Sequence, residues 1–134
     1  MKYLFLRWGI LLALTGVVLG ALGAHALERL LSEDQLTSFQ TAVRYQMHHA
    51  LGLMLVAVLF PLLKKDRLVD YAGYLLIVGT LLFSGSIYLL SCRDLLGIAN
   101  WSWLGPITPL GGACMILGWG LLMIAAMKKE FLIF

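Results

Sequence analysis

Four apolar stretches, at residues 8–24, 42–63, 71–90 and 104–127, dominate this 134-residue chain. Roughly 20 residues of helix, rising about 1.5 Å each, cross a hydrocarbon core of about 30 Å. Only short polar connections separate the stretches. A chain patterned this way is predicted to be all-α: a polytopic bundle of four transmembrane helices spanning about 8–27, 43–63, 70–91 and 105–127, in a single domain covering 1–134. Composition agrees. Hydrophobic residues make up 61% and charged residues 13%, against roughly 45–50% and 25% in soluble domains. The pI near 9.0 reflects a formal charge of only +3. No Lys/Arg stripe with interleaved aromatics is present, so nucleic acid is not an expected partner. The lipid bilayer is one, and a second copy or another membrane protein at the outer face is a further candidate.

The first stretch follows Lys2 and Arg7 and ends in Ala24-His25-Ala26. It resembles a signal peptide, but its apolar run is longer than a typical one. Gly16, Gly20 and Ala24 recur every four residues, with Gly23 beside them. This small-xxx-small face lets helix backbones approach in lipid. Gly111 and Gly112 have the same packing role in the last stretch, after Pro106, Thr108 and Pro109.

Between the first two stretches, Leu27, Leu30, Leu31, Leu36 and Phe39 recur at near-helical steps among Glu28, Arg29, Glu33 and Asp34. Helix one is expected to continue to about Leu31. Ser32 followed three residues later by Gln35 has the form of a capping box. A short amphipathic helix starting there is expected to lie in the interface of the first outer loop. Cys92 and Cys114 are too few for a disulfide framework and read as small buried hydrophobes.

Cytoplasmic loops carry excess Lys and Arg. With four spans, Lys2, Arg7, Lys64, Lys65, Arg67, Lys128 and Lys129 fall on one side, and Arg29, Arg44 and Arg93 on the other. Both termini are therefore expected in the cytoplasm of a multi-pass protein of the plasma (inner) membrane. This orientation gathers polar residues at one depth, near the outer interface: His25, Arg44, Tyr45, His48, His49, Ser84, Tyr88 and Thr108. Tyr45 and His49 are four apart and share a helix face, whereas His48 and His49 point about 100° apart. His25, Tyr45, His49, Ser84, Tyr88 and Thr108 are the candidate ligand-binding residues, with His25 and His49 expected to converge. No catalytic residue, cofactor or metal can be assigned. The chain has no nucleophile elbow, P-loop or dinucleotide fingerprint. A non-enzymatic protein binding lipid, a small ligand or a partner at this cluster is the first reading. A transporter or channel subunit, or a metal- or haem-binding protein using His25 and His49, are the alternatives.

Four ordered motifs, LGALGAHAL, TAVRYQMHHAL, GTLLFSGSIYLL and ITPLGGACMILGW, resemble the YgdD-like family of small inner-membrane proteins, a domain-of-unknown-function family. The resemblance implies four membrane helices and supplies no established catalytic residue. It maps onto Gly20, Gly23, His25, Tyr45, Gln46, His49, Ser84, Gly85, Tyr88, Thr108, Pro109, Gly111, Gly112, Gly118 and Trp119. It also favours His49 over His48 as the inward-facing histidine.

Overall fold

The computed structural model describes residues 1–61 and 67–128. The expected turn at Lys64–Lys65, the end of the second span, and Lys129 lie outside the described residues. Four long helices form the body: α1 (Lys2–His25), α2 (Glu33–Leu59), α3 (Arg67–Ser91) and, after a short α4 (Arg93–Leu96), α5 (Ile107–Met127). No strand occurs among the described residues. α1 packs on α2, α2 on α3, and α3 on α5, so α2 and α3 form the middle and α1 and α5 the flanks.

α1 begins six residues before the apolar run because Phe5 belongs to the core. Its fully buried ring lies edge-on to Tyr74, with centroids 5.8 Å apart, and seats on Gly73 of α3. α1 also ends earlier than expected, at His25. A 3-10 turn at Leu27–Arg29 follows and tucks Leu27 into the bundle.

The expected capping box is present. Ser32 Oγ accepts from Gln35 N at 3.3 Å, and Gln35 Oε1 accepts from Ser32 N at 3.1 Å. The separate interfacial helix is not. The helix that this box starts runs without a break into the second apolar stretch, giving one helix of 27 residues. No Gly or Pro interrupts it before Gly52. Its apolar stripe faces protein rather than headgroups: Phe39 is buried against Gly23 of α1 and the Tyr88 ring of α3, 4.9 Å between centroids.

Among the described residues, three helices are long and apolar enough to cross a membrane: Lys2–His25, Arg67–Ser91 and Ser102–Met127. α2 is not among them; its first 17 residues carry Glu33, Asp34, Arg44, Gln46, His48 and His49. Large apolar side chains point outward along every long helix, including Val17, Val58, Leu81 and Ile116. Water does not stabilise such a surface; lipid does.

Close backbone approach holds the helix pairs together. Gly79 of α3 and Gly111 of α5 face each other. A Cβ at Gly79 would lie 2.9 Å from Gly111 O, and one at Gly111 would strike the Phe83 backbone. Gly16, Gly20 and Gly23 all lie along α2, but unequally. Gly16 and Gly23 are buried against Met47 and Phe39, whereas a Cβ at Gly20 would meet only Val43 Cγ1 at an ordinary 3.4 Å. Gly112 has similar room beside Phe83.

Gly111→Ala should therefore destabilise the bundle in detergent by about 1–3 kcal/mol, because neither backbone can yield cheaply. Gly120→Ala, with nothing within 4 Å, should leave the thermal midpoint near that of the parent. Equal midpoints for the two variants would contradict the close-approach reading.

Candidate functional site

Gln46, in the middle of α2 and only 4% exposed, is the hub of the polar interior. Its Nε2 donates to Leu12 O at 2.9 Å and to Thr15 Oγ1 at 2.8 Å, both on α1. Its Oε1 accepts from the Tyr88 hydroxyl of α3 at 2.8 Å. A backbone carbonyl can only accept, so Leu12 O fixes which end of the amide carries the nitrogen. Thr15 gives its own proton to Leu11 O at 2.8 Å and so is free to accept from Gln46.

The neighbouring polar groups are also paired. Ser84 donates to Ala42 O at 2.8 Å, joining α3 to α2. His49 lies between two partners: Trp119 Nε1 donates to its Nε2 at 3.2 Å, and its Nδ1 lies 2.7 Å from Tyr45 O. An indole N–H can only donate. Nε2 is thus the accepting nitrogen, and Nδ1 carries the proton given to Tyr45 O. Both ring nitrogens are committed. Among the described residues, no three His, Cys, Asp or Glu side chains gather as a metal site.

A cavity of about 340 Å³ opens beside this network, where the N-terminus of α2 meets the C-terminus of α3 and the start of α5. Asp34, Gln35, Ser38, Ile87, Leu90, Ser91, Arg93 and Thr108 line it. Its rim is built by local chain geometry. Gly97, at φ 68°, closes α4 in the left-handed conformation that glycine adopts freely and donates back to Arg93 O. Gln35 spans the loop and donates to Asp94 Oδ2 at 2.7 Å.

The six candidate residues do not form one pocket. His49, Ser84 and Tyr88 belong to the interior network. Tyr45 is exposed and stacks on Phe83 and His49, with centroids 4.6 and 6.2 Å apart. Thr108 hydrogen-bonds Ser86 at 2.6 Å and lines the open cavity. His25 is exposed and joins neither. Gly23 and Leu27, four apart, are buried and take the inward face of the turn, which leaves residue 25 on the other side. Of the adjacent histidines, His49 is buried and His48 exposed. Arg44 is exposed and donates to Thr41 Oγ1 at 3.1 Å. The site list drawn from sequence lacks Gln46, Thr15 and Trp119. The spacing of Ala42, Gln46, His49 and Ala50 on one face of α2 is the signal that points to Gln46.

The family described as "Protein of unknown function (DUF423)" matches residues 19–112. The chain belongs to the DUF423 family. It is 44% identical over 124 residues to the UPF0382 membrane protein YwdK of Bacillus subtilis, covering 92% of this chain and 96% of that one. It is 39% identical over 125 residues to the UPF0382 membrane protein SH2409 of Staphylococcus haemolyticus, covering 93% and 96%. No solved structure matches. This DUF423 protein is thus a membrane protein, consistent with its outward apolar side chains. The motifs that carried the resemblance begin within the matched segment, and LGALGAHAL starts at its first residue.

Gln46→Leu removes three hydrogen bonds while keeping side-chain bulk. Bonds between membrane helices contribute about 0.6 kcal/mol on average and about 1.7 at most. The variant should lose about 1–3 kcal/mol of stability, and Tyr88→Phe added to it should cost less than Tyr88→Phe alone. Additive losses in that double-mutant cycle, read from denaturation in mixed micelles, would remove Gln46 as hub.

Proposed function

We propose that this protein is a non-enzymatic bundle of the YgdD-like type, with four spans in the inner membrane, that holds an amphiphile at the loop end. The observation that carries this reading is the contrast between two neighbouring polar regions. The interior hydrogen bonds are mutually committed, so a ligand entering there must break one. At the cavity Asp34, Ser38, Ser91 and Arg93 are uncommitted above an apolar wall of Ile87 and Leu90, and Thr108 is bonded only to Ser86. Thr108 is the candidate residue placed to contact the ligand. The other candidates position the helices that frame it.

In this reading α2 is the fourth span. Its buried polar groups, Gln46 and His49, are bonded inside the bundle, and the exposed Arg44 and His48 lie on the half of the span nearer the loop end, toward the headgroups. The cavity then sits where α3 ends and the stacked, exposed Trp101 and Trp103 mark an interface. Seven of the ten cationic side chains favour cytoplasmic termini, which supports this end lying outside.

Two experiments test this. Ser38→Trp fills the cavity without removing a hydrogen bond. It should reduce the lipid that co-purifies in mild detergent to a small fraction of the parent's, measured by mass spectrometry of the extract. Undiminished lipid would overturn the amphiphile reading. In a background lacking Cys92 and Cys114, Ser32→Cys in intact cells should react with an impermeant maleimide from outside only. Labelling only after lysis would invert the topology.

A further inference from the structure

Resting on the amphiphile reading above, we infer that the cavity selects a phospholipid with a zwitterionic headgroup bearing a primary ammonium, of the phosphatidylethanolamine class. Two opposite charges, Asp34 and Arg93, line the same cavity, and among the described residues no ion pair joins them. A guest carrying both signs matches this arrangement, whereas a purely anionic headgroup leaves the carboxylate opposed.

Proton accounting sharpens the match. The single Ser86 hydroxyl proton goes to Phe83 O at 3.0 Å. The Ser86–Thr108 contact therefore uses the proton of Thr108, and Thr108 Oγ1 keeps only acceptor capacity on the cavity side. Asp34 likewise only accepts. Arg93 only donates, with a planar fork suited to phosphate. Ser91 is 4% exposed, lines the cavity, and its Oγ has no partner. A buried hydroxyl left this way costs free energy that a phosphate or ester oxygen recovers.

The cavity thus offers acceptors, Asp34 and Thr108, for an ammonium and donors, Arg93 and Ser91, for a phosphate. A primary ammonium donates three hydrogen bonds. A trimethylated one donates none, so choline lipids satisfy only half the site. The volume, about 340 Å³, is at the lower end of small-molecule sites, which run roughly 300–1,000 Å³. It admits a headgroup while acyl chains leave along Ile87 and Leu90 into the bilayer.

The test is competitive retention by the full-length protein in detergent, read by native mass spectrometry, with equimolar dioleoyl phosphatidylethanolamine, phosphatidylcholine and phosphatidylglycerol. The ethanolamine lipid should be retained about tenfold over either competitor, equivalent to about 1.4 kcal/mol. Asp34→Asn should abolish the preference over phosphatidylglycerol without lowering phosphatidylglycerol retention, and Arg93→Gln should lower retention of all three. Should Asp34→Asn fail to fold, the parent protein's three-lipid comparison decides the matter alone. Equal retention of all three lipids overturns the headgroup assignment and leaves the amphiphile reading standing. Retention of none overturns both. Displacement of bound lipid by soluble phosphoethanolamine at matched concentration overturns a lipid as the occupant.

Discussion

The carboxamide of Gln46 is the interaction on which the arrangement of the helices depends. It is buried in the bundle, only 4% exposed, and an unpaired amide there would cost several kcal/mol. Two acceptors on α1 and one donor on α3 meet both of its N–H groups and one of its two oxygen lone pairs at 2.8–2.9 Å. A one-residue rotation of α2 would turn the amide by about 100° and leave it unpaired. The hub therefore fixes the rotational setting of α2, and with it the inward placement of His49 and the outward placement of His48.

Glycine contacts and hydrogen bonds divide the work between them. Within each hairpin the helices approach through small residues: Gly9, Gly16 and Gly23 along α1 against α2, and Gly79, Gly111 and Gly118 between α3 and α5. Between hairpins, from mid-bundle toward the loop end, polar bonds dominate: Tyr88 to Gln46, Ser84 to Ala42 O, and Trp119 to His49. At the opposite end the same junction is apolar, with Phe5 seated on Gly73. Apolar side chains gain little by leaving lipid for another apolar surface. Two hairpins joined only by such contacts would be free to slide, whereas directional bonds set their register.

Much of the fold could be read from the residues. Helices α3 and α5 begin and end within four residues of their apolar stretches, and Ser32 with Gln35 marks the start of α2 to the residue. The fusion of the connector with the second stretch was less legible. The polarity of Arg44 to His49 suggests an interface, and only the tertiary partners of Gln46 and His49 explain why the helix continues through it. The candidate site was half legible. Helical spacing shows which residues share a face, so His48 and His49 cannot both point inward; the resemblance, not the spacing, favours His49. Spacing cannot report that α1 ends at His25 in a tightened turn, which turns that side chain outward. Nor does it show that Arg93 and Asp34, 59 residues apart in sequence, line one cavity. That meeting depends on the reach of Gln35 to Asp94 and on Gly97.

The separation of a paired interior from an unpaired rim bears on how such a bundle can bind anything. Its polar groups beneath the surface cannot exchange partners without loosening the junction between hairpins, so affinity drawn from them would be offset by lost stability. The rim has no such coupling. Asp34, Ser91 and Arg93 contribute no bond that holds one long helix to another, and Thr108 keeps its contact with Ser86 while its remaining lone pairs face the cavity. A headgroup arriving there exchanges water for protein partners and leaves the Gln46 network untouched. Binding at the rim and cohesion of the bundle are therefore independent to first order: substitutions at Gln46 act on stability, and those at Arg93 on occupancy.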